Sequence, residues 1–149
     1  MSIDIKIEDN SKKFLKELDD RIPPALEECG LAAERFAKQE ITKSVYDTPE
    51  RPNYRRTGYL RNSITHALSG EAAAISEYTD DAKEQHGVYS GSAPAAKENE
   101  MSVYVGTNVE YAPYVEMGTV KMGARPFIKP AVTNHQKEYK GILERWLGK

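Results

Sequence analysis

The stretch "LEECGLAAERFAKQEITKSV", residues 26 to 45, has the periodicity that decides the fold. Its apolar residues recur every three or four positions, which places them on one face of a helix. They are Leu26, Cys29, Ala33, Phe36, Ala37, Ile41 and Val45. The pattern predicts an amphipathic helix of about six turns. Pro23 either begins this helix or kinks a longer one that starts near Ser11, because proline fits a first helical turn but not a helix interior.

Shorter segments on both sides of this helix alternate between apolar and polar residues, which is typical of strands with one buried face. Ile3, Ile5 and Ile7 alternate in this way at the N-terminus, and segments 64–68 and 101–105 are the other two predicted strands. Segment 76–100 is polar and rich in small residues and turn formers. We expect it to be an extended hairpin tip or a flexible loop inserted between strands.

The C-terminal segment predicts a second helix. Its apolar and aromatic residues step by four, three, four, three and four positions, which gives one continuous stripe on a helix roughly 30 Å long. They are Ile128, Val132, His135, Tyr139, Ile142 and Trp146. Strands and helices do not alternate regularly, so we predict an α+β fold: a small, mostly antiparallel β-sheet packed against a long middle helix and a C-terminal helix. A length of 149 residues predicts a single domain over 1–149.

Composition excludes several classes of protein. Lysine and arginine number 21 against 23 for aspartate and glutamate, and this balance argues against a polyanion-binding tail. Cys29 is the one cysteine, so no internal disulfide forms and we expect a small buried side chain in a cytosolic protein. The N-terminus lacks the apolar run of a signal peptide, and no stretch approaches the roughly 18 apolar residues of a membrane span, so we expect no membrane partner.

Motifs for catalysis or cofactor binding are missing. "GTVKMG" lacks the residue order of a phosphate-binding loop, and "YSGSA" lacks the turn that exposes a nucleophilic serine. His66, His86 and His135 have no second ligand at metal-binding spacing, and we expect His135 to be packed and hydrogen-bonded. Glu110 and Glu116 could form a carboxylate pair, but such pairs arise by chance in an acidic chain. We therefore predict no enzyme activity, no cofactor and no metal.

The segment "DTPERPNYRRTGYLRNSI", residues 47 to 64, carries four arginines and no acid after Arg51. Arg51, Arg55, Arg56 and Arg61 form either a solvated surface loop or a contact with phosphate or carboxylate groups, which guanidinium groups bind with two hydrogen bonds.

Three ordered blocks of sequence carry a resemblance to a known family. "TGYLRNSI" (57–64, the first block) is followed by "GTNVEYAPYVEMGT" (106–119, the second block) and "RPFIKPA" (125–131, the third block). The chain resembles the gene-product-ten-like family of head-tail joining proteins from tailed phages and prophages, which shares these blocks in this order. Two departures are Met117, where the family usually has an aromatic residue, and the longer 76–100 segment.

The resemblance implies a structural protein of the phage neck that joins head to tail or completes the tail through protein contacts, within a ring of copies. It implies phage neck, connector or tail proteins as partners, possible proximity to DNA, and a place in the virion after assembly in the bacterial cytoplasm. Glycines and prolines in segment 111–131 suit a projecting contact loop, and its aromatic side chains offer apolar area with few rotatable bonds. The predicted contact residues are Arg55, Arg56, Thr57, Arg61, Tyr111, Tyr114, Glu116, Gly118, Thr119, Arg125 and Phe127.

Several alternatives remain open from the sequence. Tyr111 and Tyr114 could pack in the core instead of contacting a partner, and Glu116 could form an ion pair with Arg125 across the loop or with a neighbouring subunit. A nucleic-acid-binding module using the loop from Arg51 to Arg61 would show affinity that falls steeply with salt. A small hydrolase would lose turnover in Glu116→Gln with its stability unchanged.

Overall fold

The computed structural model describes residues 9–49, 58–72, 76–80, 85–89 and 101–148, with the backbone alone described for 76–80 and 85–89. Helix α1 (Ser11–Ile41) is continuous through Pro23 and Pro24, and a π-helical turn (Thr42–Tyr46) extends it. Pro23 therefore lies inside one long helix and does not begin a second one. At 1.5 Å per residue, its 31 residues span about 46 Å.

The remaining elements are short. In chain order they are α2 (Tyr59–Ser63), β1 (Thr65–Leu68), β2 (Ser76–Asp80), β3 (Gln85–Tyr89), β4 (Val103–Gly106), α3 (Ala112–Met117), α4 (Ile128–Thr133) and α5 (Gln136–Leu147).

The described strands form two antiparallel pairs. Strand β1 pairs with β4, with His66 opposite Val105, and β2 pairs with β3 in a hairpin within segment 76–100. The predicted strands at 64–68 and 101–105 are confirmed with shifts of one or two residues. In β4 the half-buried Val103 and Val105 alternate with the exposed Tyr104, as the sequence pattern requires.

The main core lies between the C-terminal half of α1 and the elements that cover it. Phe36, Ala37 and Ile41 of α1 pack with Ile64 and Phe127, and both Ile64 and Phe127 are essentially inaccessible to solvent. Helix α1 also contacts β1, β4, α4 and α5. The predicted α+β fold, with a small antiparallel sheet against a long helix and a C-terminal helix, is confirmed.

The prediction of one continuous C-terminal helix is wrong. Helix α4 ends at Thr133, and α5 begins after His135, whose backbone is not helical (φ −118°, ψ 27°). The break lets the His135 ring stack on Phe36 with ring centroids 3.5 Å apart. Within α4, Val132 is 43% exposed and Ala131 is fully buried, so Val132 of the predicted stripe does not face the core. The tertiary contact with α1 therefore overrides the regular spacing of the stripe.

Helix α5 is tied to α1 by aromatic and polar contacts. Trp146 Nε1 donates to Glu28 Oε2 at 2.6 Å, and Arg145 bonds the other carboxylate oxygen. These bonds from Trp146 and Arg145 hold the pKa of the Glu28 carboxyl below its usual range. Cys29 is buried, as expected, and this burial raises the pKa of its thiol, so it behaves as a small packed side chain.

Two predictions lie outside the described residues. They are the strand containing Ile3, Ile5 and Ile7, and the arrangement of Arg51, Arg55 and Arg56 in the basic loop.

Candidate partner-binding site

The three sequence blocks converge on one side of the core. Each block contributes buried apolar residues to the same cluster: Leu60 and Ile64 from the first, Ala112 from the second, and Phe127 and Ala131 from the third. The first and second blocks, which are separated by about forty residues in sequence, are therefore neighbours in space.

A buried hydroxyl chain joins the first block to the second. Ser63 is 1% exposed, and its Oγ donates to the carbonyl oxygen of Leu60 at 2.7 Å. The Oγ atoms of Ser63 and Thr107 are 2.5 Å apart, and Thr107 Oγ1 accepts the amide of Val109 at 3.1 Å. Because the Ser63 proton is already donated, the Thr107 hydroxyl donates to Ser63. These two residues thus hold α2 against the segment that leads into α3.

Glu116 joins the second block to the third. Its Oε2 accepts the backbone amides of Phe127 at 2.7 Å and Ile128 at 3.0 Å, and its Oε1 accepts that of Lys129 at 2.9 Å. These three amides are at the start of α4, where a helix leaves its N–H groups without intrahelical partners. Glu116 therefore caps α4 from the preceding helix, α3, and its negative charge suits this positive end of the helix dipole.

The ion pair between Glu116 and Arg125 does not occur among the described residues, so this hypothesis is wrong. The backbone of Arg125 makes the connection instead, because its amide donates to the carbonyl oxygen of Val115 at 2.8 Å. The two ends of the loop are thus held by backbone bonds and by the Glu116 cap.

Between these two ends, the chain forms a tight hairpin turn. The amide of Thr119 donates to the carbonyl oxygen of Met122 at 2.8 Å, and the amide of Met122 donates to the carbonyl oxygen of Thr119 at 3.2 Å. Gly118 has φ 78°, and a Cβ atom there would lie 2.6 Å from the amide nitrogen of Ala124. Glycine at this position is required both by the left-handed backbone and by the close approach of the two chain segments.

Large apolar side chains are exposed on α3 and on this hairpin. Tyr114 is 60% exposed, Met117 is 74% exposed and Val120 is fully exposed. We call these three residues the outer face. Tyr114 and Met117 are three positions apart on α3 and so lie on the same side of the helix. Met117 and Val120 were not among the contact residues predicted from the sequence. The available signal was their apolar character beside the glycines of segment 117–123.

Other predicted contact residues have intramolecular contacts. The Arg61 guanidinium lies over the ring of Tyr46, 4.8 Å from its centroid. The Tyr111 ring is 6.3 Å from that of Tyr59, and Thr119 Oγ1 accepts the amide of Lys121. Phe127 is 1% exposed, so it supports the surface from below and does not form part of it.

The remaining predicted contact residues, Arg55, Arg56 and Thr57, lie outside the described residues. Over the part of the chain that is described, no group of three metal-ligating side chains occurs, and no helix has the length and apolar character needed to cross a membrane. His135 is packed on Phe36, as expected.

Comparison with known proteins identifies the family. A family model described as "Bacteriophage HK97-gp10, putative tail-component" matches residues 5–118, which include the α1 helix, the first block and all but the last residue of the second block. No curated protein and no solved structure matches the chain. The match covers well over half of the sequence. The chain belongs to the HK97 gp10-like family of bacteriophage tail components.

Proposed function

We propose that this protein is a structural subunit of the phage neck that joins head to tail or completes the tail through protein–protein contacts. Its partners are other neck, connector or tail proteins and further copies of itself in a ring, and it has no catalytic task. It is assembled in the bacterial cytoplasm and becomes part of the virion. Membership of a tail-component family supports the structural role, and the resemblance of the three blocks supports the position at the neck.

The observation that carries the proposal is the exposed outer face on a rigid support. Large apolar side chains that are exposed together mark sites of protein contact. The support is held by the Glu116 cap, the Thr119–Met122 hydrogen bonds and the Gly118 turn. A surface that is already ordered loses less conformational entropy on binding, so more of the contact energy remains as affinity.

The two other functional classes have less support from the described residues. Both carboxylate oxygens of Glu116 accept backbone amides, so this residue is poorly suited to be the acid or base of a hydrolase. The Arg61 guanidinium is stacked on Tyr46, which leaves it less available for phosphate. A nucleic-acid-binding role would still show binding that weakens steeply with salt.

A gene deletion tests the role. The gene is removed from its phage or prophage, and the induced lysate is imaged by negative-stain electron microscopy. We expect DNA-filled heads and unattached tails, with whole virions restored by the wild-type gene. Normal infectious virions from the deletion strain would overturn the neck role.

Complementation of the same deletion tests the surface. A variant with Tyr114→Ser, Met117→Ser and Val120→Ser is expected to fold, as judged by circular dichroism, but to leave heads and tails separate. The control is Leu31→Ser, which changes another exposed apolar residue, 55% exposed on α1. We expect the control to restore virions. If the triple variant also restored them, the contact surface would lie elsewhere on the protein.

A further inference from the structure

The junction between α1 and the sheet contains a histidine held between two carboxylates. His66 of β1 has a side chain that is 8% exposed. Its Nδ1 is 2.7 Å from Glu34 Oε2, and its Nε2 is 2.9 Å from Glu27 Oε1. Glu27 and Glu34 are seven residues apart, two helical turns, so they project from one side of α1. The imidazole ring therefore bridges them.

Gly30 makes this close approach to the helix possible. It lies on α1 between the two glutamates, and a Cβ atom there would be 2.5 Å from His66 Cδ2 and 2.7 Å from a methyl group of Val103. Both distances are shorter than carbon atoms tolerate, so only glycine allows the ring to lie against the helix backbone. The ring is thus fixed in position by packing as well as by its two hydrogen bonds.

We propose that His66 is a pH-sensitive lock, which in its protonated form fastens helix α1 to strand β1 through Glu27 and Glu34 and on losing its proton weakens that junction. A carboxylate accepts hydrogen bonds and donates none. Both ring nitrogens must therefore carry a proton to bond both glutamates, which is the imidazolium form. When the proton leaves, one nitrogen presents its lone pair to a carboxylate oxygen less than 3 Å away, and attraction becomes repulsion.

The charged groups around the ring favour the protonated form. Helix α1 contributes Glu27 and Glu34, and Lys38 bonds Glu34 at 2.5 Å and orients it. Strand β4 contributes the apolar side chain of Val103. The phenol of Tyr104 lies on the opposite, exposed face of that strand. Burial alone lowers the pKa of His66, but the hydrogen bonds and charges of Glu27 and Glu34 outweigh it and raise the pKa above its ordinary value.

The direction of the pH effect follows from these shifts. A histidine with a raised pKa contributes to the stability of the folded protein. This contribution is complete below the ordinary histidine pKa of 6.5 and is lost as the pH rises through the higher pKa of the folded state. Burial raises the pKa of Glu34, whereas the bonds from Lys38 and His66 lower it, with a net decrease from 4.5. The contribution of Glu34 to stability is complete above pH 4.5 and is lost as the pH falls through the lower pKa of the folded state. The lock is therefore strongest between about pH 4.5 and 6.5.

A titration followed by NMR tests the geometry directly. The ring signal of His66 is recorded against pH in the full chain and in Glu27→Gln, Glu34→Gln and Glu40→Gln variants. We expect a midpoint above 6.5 in the wild type, a lower midpoint in the first two variants and an unchanged midpoint in the third. Glu40 is the matched control because it is on the same helix but pairs with Lys43. A wild-type midpoint at or below 6.5, or equal midpoints in all four proteins, would overturn the proposal.

Hydrogen exchange tests the mechanical consequence. Amide protection factors in β1, corrected for intrinsic exchange rates, are compared between acidic and alkaline pH in the wild type and in His66→Gln. From acidic to alkaline pH, we expect protection to fall by about tenfold more in the wild type than in the variant. The reason is that the wild type loses one hydrogen bond to a charged group. An equal fall in both proteins would overturn the proposal. If His66→Gln does not fold, the same comparison with Glu34→Gln serves.

Discussion

The two sides of segment 111–131 differ in what their residues contact. On the inner side, Glu116 caps α4 and Phe127 fills the core, so these residues of the family blocks are used within the chain. The outer face is exposed and includes Met117, the position at which this chain departs from the usual aromatic residue. The difference teaches that one block can combine residues that build the support with exposed residues, which we propose as the surface that a partner contacts.

The most damaging single change on the inner side is expected to be Phe127→Ala. It removes a large side chain from a fully buried position, which costs about 3–5 kcal/mol through lost burial and the remaining cavity. Urea unfolding followed by circular dichroism measures the loss. The matched change on the outer face is Met117→Ala, for which we expect a change within about 0.5 kcal/mol. Equal losses for the two variants would contradict the division into an inner side and an outer face.

Glu116→Gln sharpens the comparison, because it tests whether a polar residue of a family block is structural. The amide side chain keeps one acceptor oxygen but places an N–H₂ group toward the backbone amides of α4. We expect a loss of about 1–3 kcal/mol, the usual cost of disrupting hydrogen bonds that involve a charged group.

Urea unfolding again gives the measurement for Glu116→Gln, with Glu110→Gln as the control, because Glu110 is exposed. We expect the control to be close to the wild type. Stability of Glu116→Gln equal to the wild type would show that the cap contributes little and would return this residue to the set of partner contacts.

Gly118→Ala tests the turn that supports the outer face. The left-handed backbone and the 2.6 Å approach to Ala124 both oppose a side chain. We expect a loss of about 1–2 kcal/mol from this strain, measured by thermal unfolding. The control is Gly123→Ala, where a Cβ atom would meet open space. If both variants lost stability equally, backbone flexibility in general, and not the geometry of Gly118, would be the cause.

The smallest effect on stability is expected for Val120→Ser at the tip of the hairpin. Val120 is fully exposed, so its replacement changes the free energy of unfolding by no more than about 0.5 kcal/mol. Thermal unfolding checks this value. A clear loss would mean that Val120 packs against the rest of the chain and is not part of a free surface.

Sequence patterns predicted the regular parts of this fold well. The α1 stripe and the two core strands followed from spacing, because one face of each element must be buried. The same reasoning failed at the C-terminus, where the spacing across Val132 and His135 continues without interruption but the helix breaks. Stacking of His135 on Phe36 decides that break, and Phe36 is about a hundred residues earlier in the chain. Local periodicity contains no information about such a distant contact.

The candidate site was predicted in part. Ordered blocks of sequence identified the family and drew attention to segment 111–131, and the family is confirmed. The roles of individual residues were harder to predict. The sequence left Arg125 or a neighbouring subunit as alternative partners of Glu116, whereas the structure provides three backbone amides. Backbone amides carry no sequence signature, so a cap of this kind is invisible until the segments are placed together. The contact roles of the exposed residues remain predictions.

The sequence by itself determined the long helix, the two core strands, the α+β class and the family, because periodicity, turn residues and ordered blocks are local properties of the chain. Only the tertiary structure decided which polar residues meet: Ser63 with Thr107, Glu116 with α4, and His66 with α1. The reason is physical, since each of these bonds depends on a few ångströms of separation between segments that are 11 to 44 residues apart in the chain. That separation is set by how the whole core packs.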